Sequence, residues 1–195
     1  MDDPALTGKL KKAKVGIAGA GGLGSNIAVS LARAGVGELV VVDFDRVEAS
    51  NLNRQYYFWE QIGELKVNAL KENIDRIGFG TKIDALDQKL EKGSMHDPFA
   101  DVDVVVEALD SARVKADLIE DVLTHLKGKP LVAASGVAGY GRSDRIKLER
   151  FGDLYLVQDN EARSSNEDVL MAPRVSLFAN YQANVVLELL LEGWL

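Results

Sequence analysis

The chain has 195 residues, of which 47% are hydrophobic and 27% charged, and its net charge is −7. That composition describes one globular domain over residues 1–195 and is wrong for a disordered protein; the acidity argues against a nucleic-acid partner, whose affinity would rest on neutralised phosphates. With no cysteine and only His96 and His125, disulfides, thiolate zinc sites, iron–sulfur clusters and a cysteine nucleophile are excluded, and both histidines read as surface residues.

The N-terminal residues 1–14 are polar and lack the apolar core of a signal peptide. Residues 15–18 form a short apolar run, read as a buried strand, which opens into Gly19-Ala20-Gly21-Gly22-Leu23-Gly24. Residues 25–34 carry Ile27, Ala28, Leu31 and Ala32 at helical spacing, and Gly35 stops that helix. The β-branched run 39–42 ends at Asp43, so the first 45 residues read β–α–β. Strands that are apolar throughout suit a parallel sheet covered on both faces. Residues 47–64 are polar and aromatic and read as a long loop with a short helix, whose Tyr56, Tyr57, Phe58 and Trp59 pack it against the core. An amphipathic helix is predicted over 66–77, with Val67, Leu70, Ile74 and Ile77 on one face. Strands are predicted at 82–86, 103–109 and 130–135, with a helix over 112–126. The pattern is that of a Rossmann-like, doubly wound α/β fold with a mostly parallel sheet and helices on both faces. The last third changes character. Residues 145–151 and 154–157 read as two antiparallel strands, 159–168 as a polar loop, and Pro173 opens a C-terminal helix reaching about residue 192. No apolar run approaches the roughly 20 residues of a membrane span, and the cytoplasm is the expected location.

Gly19-x-Gly21-x-x-Gly24 follows a strand and opens a helix. Glycines there let the backbone turn sharply and approach phosphate oxygens, and the helix N-terminus supplies free N–H groups and partial positive charge. Asp43, about 20 residues further on, stands where an acidic side chain accepts hydrogen bonds from ribose hydroxyls. The pair points to a nucleotide without saying which one. A plain NAD enzyme does not account for the stretch Asp43-Phe44-Asp45-Arg46-Val47-Glu48-Ala49-Ser50-Asn51-Leu52-Asn53-Arg54-Gln55, nor for Gly63-Glu64-Leu65-Lys66 and Ala108-Leu109-Asp110-Ser111 beyond it.

In these four ordered motifs the sequence resembles the ThiF/MoeB and ubiquitin-activating-enzyme family of ATP-dependent adenylyltransferases, from about residue 15 to 135 and more loosely to the end. The resemblance implies a nucleotide cleft lined by Gly19, Gly21, Gly22 and Gly24. It implies that Asp43 holds the ribose, with Asp45 as an auxiliary carboxylate, and that Ser50, Asn51, Leu52 and Asn53 lie beside the triphosphate. Arg54 would neutralise and orient phosphate oxygens, and Lys66 would add a point charge. Asp110, next to Ser111, would bind Mg²⁺ directly or through water. Taken alone, Arg54 and Lys66 read as surface charges; for Asp110 a cap on the following helix is an alternative compatible with Mg²⁺ binding.

The implied reaction is attack of a carboxylate on the α-phosphorus of ATP, giving an acyl-adenylate and pyrophosphate with Arg54, Lys66 and Asp110 as the catalytic set. In this family the carboxylate usually ends the Gly-Gly tail of a small ubiquitin-fold sulfur carrier. The short ThiF-like branch, which the chain resembles most, acts on ThiS in thiamin biosynthesis. Gly136–Gly139 and the 159–168 loop are then candidates for tail contacts, and a homodimer is expected. Three departures accompany the resemblance. The four-cysteine zinc site of longer members and the cysteine of thioester or persulfide chemistry are absent, so sulfur delivery would fall to another protein. The first arginine is Arg33, inside the first helix after the glycine loop, so no N-terminal arginine reaches a partner's site. The alternatives are a ThiF-like dehydratase of threonylcarbamoyladenosine in tRNA, adenylation of another carboxylate such as a peptide C-terminus, and a non-catalytic nucleotide-binding module.

Overall fold

The structure is a computed structural model and describes residues 3–162 and 168–193. Its central strands are the ones with the most β-branched, uninterrupted apolar character. β1 (Lys14–Ala18), β2 (Glu38–Asp43) and β4 (Val104–Glu107) are buried over nearly their whole length and pair in parallel, β2 and β4 flanking β1. β3 (Lys82–Asp87) pairs in parallel with β2 at one edge. β5 (Leu131–Ser135) continues beyond β4, and β7 (Leu154–Gln158) lies parallel to β5. β6 (Lys147–Phe151) closes the other edge antiparallel to β7. The resulting seven-stranded sheet has the order β3-β2-β1-β4-β5-β7-β6.

Helices α2 (Gly22–Ala34), α3 (Lys66–Ile77) and α5 (Ala172–Glu192) cover one face, burying Ile27, Leu31, Leu70, Ile74, Phe178 and Val186 in one core. The other face carries α4 (Ala112–His125) and the 3₁₀ turn Asp97–Phe99, packed through Met95, Phe99, Leu118 and Val122. This is the doubly wound, Rossmann-like arrangement expected from the sequence, with the antiparallel pair and the long helix at the C-terminal end.

Local boundaries differ for identifiable reasons. A short helix α1 (Pro4–Leu10) stands where only a polar N-terminus was read; the Asp3 carboxylate caps it by accepting from Ala5 and Leu6 N–H, and Pro4 occupies its first turn. α2 starts at Gly22 rather than residue 25, so the last two motif glycines form its first turn. β4 is shorter than predicted. Asp103 turns its carboxylate onto the Lys14 N–H, and Glu107 folds back onto the Leu109 N–H, which ends the strand. β6 starts at Lys147 because Ser143–Arg145 is a 3₁₀ turn. The 47–64 segment holds two 3₁₀ turns, Ala49–Asn51 and Trp59–Gln61, in place of a short helix. In it Tyr57 is buried, whereas Phe58 and Trp59 are exposed. Of the predicted polar loop, 163–167 lie outside the described residues. The histidines are not simple surface residues: His125 is exposed, but His96 is largely buried and stacks on it.

Candidate active site

β1 and β4 are neighbours, yet the chain leaves them in opposite directions, to α2 on one face and to α4 on the other. This is the topological switch point at which α/β sheets open a crevice at the strands' carboxyl ends. A cleft of about 810 Å³ lies there, lined by the glycine turn, the end of β2, Arg54, Lys66, Asp110 and the start of α4.

Two glycines of the turn admit no side chain. Gly19 has φ +99°, and a Cβ on it would stand 2.7 Å from the Ala108 carbonyl oxygen; a Cβ on Gly24 would run into the Gly19 carbonyl. No side chain caps the first turn of α2, whose N-cap is Gly21, so its amide groups and dipole are presented to the cleft. The Asp43 carboxylate fastens this turn to β2, accepting from the Ala20 N–H at 2.6 Å and the Asp45 N–H at 2.8 Å. The Tyr57 hydroxyl donates to the Ala20 carbonyl at 2.6 Å. Burial, reinforced by Asp43 and Asp45, pushes the Tyr57 phenol well above its ordinary value, which keeps that donor protonated.

Cations converge from two segments. Lys66, the first residue of α3, is buried and its ammonium lies 2.8 Å from the half-exposed Asp45 carboxylate. Arg54 reaches the cleft from the loop, with one guanidinium nitrogen donating to the Ser50 carbonyl at 3.0 Å and to Asn53 Oδ1 at 2.8 Å. The Oε1 atom of the lining residue Gln55 is buried without a hydrogen-bond partner among the described residues. On the opposite lip Asp110 and Ser111 are exposed. The N-cap of α4 is Ser111 and makes no side-chain capping bond, so Asp110 is not spent as a cap.

Of the residues named from sequence, Gly19, Gly21, Gly22, Asp43, Asp45, Arg54, Lys66, Asp110 and Ser111 line one cleft. Gly24, Ser50, Asn51, Leu52 and Asn53 do not line it. Gly24 is buried behind the turn, Ser50 donates to Glu48, Asn51 Oδ1 accepts the Glu48 N–H, Leu52 packs on the core, and Asn53 steadies Arg54.

Two buried ion pairs behind the walls were not read from the sequence. Glu107 is fully buried at the end of β4 and pairs with Lys115, a cleft residue one turn into α4. Burial pushes the Glu107 carboxyl up, and Lys115 opposes the shift. The signal was a single acid inside the apolar run 104–109. On the far wall Arg174, in the first turn of α5, donates to the Gly136 and Gly141 carbonyls and to the Asp159 carboxylate at 2.7 Å. Burial works to raise the Asp159 carboxyl, but the Glu161 N–H and the Arg174 guanidinium outweigh it and hold it below the usual carboxylate range. This network fixes the segments around Gly136 and Asp159, both of which face the cleft.

The model of the ThiF family matches residues 3–193. Among curated relatives, the adenylyltransferase and sulfurtransferase UBA4 of Kluyveromyces lactis is 34% identical over 75% of this chain and 33% of its own length. UBA4 of Saccharomyces cerevisiae is 30% identical over 94% of this chain and 43% of its own. The chain thus spans between a third and a half of the length of these relatives. Among solved structures, E. coli tRNA N6-threonylcarbamoyladenosine dehydratase TcdA in complex with ATP superposes with a TM-score of 0.87 at 20% identity, over 97% of this chain and 90% of that one. E. coli MccB with ATP gives 0.76 at 20% identity, over 97% and 58%. At that identity the two structures speak for the fold, while the family model and the relatives speak for descent: the chain belongs to the ThiF family.

Proposed function

We propose that this chain is an ATP- and Mg²⁺-dependent adenylyltransferase, and that its substrate is the C-terminal Gly-Gly carboxylate of a small ubiquitin-fold sulfur carrier of the ThiS type, in thiamin biosynthesis. The observation that carries the reading is the cleft itself. An uncapped helix N-terminus, two cations (Arg54 and Lys66) and an uncommitted carboxylate (Asp110) face one space at the switch point. The residues present fit a nucleoside triphosphate. The glycine floor leaves room for phosphates, Gln55 Oε1 awaits a donor, and Asp110 offers the hard oxygen ligand that Mg²⁺ favours.

The carboxylate oxygen forms a bond to the α-phosphorus while the bond from that phosphorus to the bridging oxygen of pyrophosphate breaks; no proton moves, and no side-chain nucleophile is required. Carboxylate and triphosphate repel each other, so the protein's task is to screen charge and align the attack. Mg²⁺, when bound, supplies charge neutralisation on the phosphates. Arg54 presents a planar fork already oriented by Ser50 and Asn53, and Lys66 presents a point charge that Asp45 holds in place. Gly136–Ala138, and Asp159, Asn160 and Ala162 from the described part of the 159–168 loop, line the cleft, and in this reading they contact the extended tail. UBA4 relatives carry the name of the same chemistry, and MccB and TcdA have been solved with ATP. Residues 1–195 form one domain in this reading, a homodimer through the apolar α5 is its expected assembly, and the cytoplasm its place. Among the described residues no helix is long and apolar enough to cross a membrane.

A second reading, tRNA threonylcarbamoyladenosine dehydratase, draws support from the likeness to TcdA over 90% of that chain; the net charge of −7 weighs against a tRNA partner. ATP–pyrophosphate exchange separates the readings. Exchange that requires a carrier with a free Gly-Gly terminus, and disappears when that terminus is amidated, supports carrier adenylation. Mg-ATP binding with no exchange on any carrier or peptide overturns it and moves the assignment to tRNA or to a non-catalytic nucleotide module.

A further inference from the structure

On the sheet face opposite α2, α3 and α5, away from the cleft, three side chains meet that the adenylation chemistry does not use. Asp121 and His125 are four residues apart on α4 and therefore share one face of that helix. His96 approaches from the turn before Asp97–Phe99 and places its Nδ1 3.9 Å from Asp121 Oδ2. The imidazoles lie with centroids 4.1 Å apart and planes inclined by 6°, and one ligand atom from each of the three residues falls within 4.8 Å of the others.

The hydrogen bonds around this cluster leave ligand atoms unspent. His96 Nδ1 is buried and has no partner among the described residues, which is unfavourable for a polar group shut away from water. The 3.9 Å separation from Asp121 is too long for a hydrogen bond. The candidate ligand atoms, all within 4.8 Å of one another, are close enough for one ion to draw them in to about 2.0–2.1 Å each. Asp121 is buried and receives the Gly93 and Met95 N–H groups, both on Oδ2, which orients the carboxylate and leaves Oδ1. His125 Nδ1 lies 2.9 Å from the Asp121 carbonyl oxygen. A proton on that nitrogen makes the bond and leaves Nε2 with its lone pair free.

We propose that His96, Asp121 and His125 form a binding site for a transition-metal dication of the zinc, nickel or copper class. Two imidazoles and one carboxylate are the donor set for such ions and not for Mg²⁺ or Ca²⁺, which take oxygen. An ion lies in the plane of each imidazole that binds it, so one ring of the parallel stack has to turn. His125 is exposed and turns by giving up its Nδ1 contact with the Asp121 carbonyl, while His96 is held in the fold. Water completes the coordination on the open side. α4 runs roughly 20 Å from the cleft to His125, so the ion would take no part in the reaction and would clamp the connection between β3 and β4 onto α4.

The test is unusually clean because the chain has no cysteine and no third histidine. Tag-free protein is titrated with Zn²⁺ by calorimetry in a large excess of Mg²⁺, which occupies carboxylate-only sites. The expected result is one Zn²⁺ per chain, with binding weakened at least ~10-fold by His125→Ala and by His96→Ala. Zn²⁺ should also raise the Tm of the wild type and not of His125→Ala, and the ¹⁵N signals of both imidazoles should shift in parallel with saturation. Because His125 is exposed, its variant is expected to fold and keeps the test valid if His96→Ala does not. Absence of stoichiometric Zn²⁺ binding, unchanged affinity in His125→Ala, or imidazole signals that do not respond to Zn²⁺ would each overturn the proposal.

Discussion

Asp159→Asn should be among the most damaging single substitutions at the cleft, although Asp159 is not assigned any chemistry. The side chains of Asp159 and Arg174 are 2% and 3% exposed and 2.7 Å apart. Arg174 also donates to the Gly136 and Gly141 carbonyls, and its Nε has no partner among the described residues. Neutralising Asp159 leaves a buried guanidinium facing only carbonyl dipoles. Breaking a buried pair in this way costs about 3–5 kcal/mol, a large part of the ~5–15 kcal/mol of a typical domain. At about 2–4 °C per kcal/mol for a chain of this size, the Tm should fall by about 6–20 °C. Arg174→Met leaves the buried Asp159 carboxylate with the Glu161 N–H as its remaining hydrogen-bond donor among the described residues, and should also be costly. The double variant Asp159→Asn, Arg174→Met should lose clearly less than the sum of the singles, since no charge is stranded. Urea unfolding at pH 7 measures all four states. The pH dependence has a defined sign. The fold holds the Asp159 carboxyl below its unfolded value of about 3.9, so its stabilisation is complete above that value and is lost as pH falls through the lower, folded one. Asp159→Asn should therefore flatten the acid limb of the stability curve. A single-variant loss below ~1 kcal/mol, or strict additivity, would refute the reasoning.

The same geometry sets the other expectations. Lys66→Ala and Arg54→Ala should each lower carrier-dependent pyrophosphate exchange by at least ~10²-fold with unchanged circular dichroism, the scale of one lost transition-state charge contact; full activity in either variant removes the role assigned to that residue. Gly24→Ala drives a Cβ into the Gly19 carbonyl and should abolish Mg-ATP-induced thermal stabilisation, so a normal ATP shift would show that the turn is not the phosphate floor. Glu107 binds its proton more tightly in the fold, because burial outweighs Lys115. Its contribution to stability therefore declines as pH rises from the ordinary carboxylate value through the raised one, and Glu107→Gln should remove that downward slope in urea unfolding across this range.

The sheet, its helices and the cleft position were legible because their signals are local. The apolar run at 15–18, the β-branched run at 39–42, the glycine turn and the Gly35 stop each act on their own neighbourhood. The motif residues were harder to sort. Arg54 and Lys66 face the cleft, whereas Ser50, Asn51 and Asn53 in the same string serve the loop that carries Arg54, a division set by backbone turns that spacing does not encode. The pairs Glu107–Lys115 and Asp159–Arg174 depend on elements brought together only by the tertiary fold, as does the stack of His96 on His125 across 29 residues of chain. Helix α1 escaped because it is only seven residues long, even though Asp3-Pro4 is an ordinary start signal.

Intact-mass analysis of a Gly-Gly-ending carrier incubated with the protein, Mg²⁺ and ATP asks whether this cleft joins AMP to the carrier's terminal carboxylate. The expected result is an AMP adduct on the carrier that is absent from the terminal amide and lost with Lys66→Ala. An unmodified carrier under conditions where the protein demonstrably binds Mg-ATP and the carrier, or AMP attached to this chain instead, would contradict it.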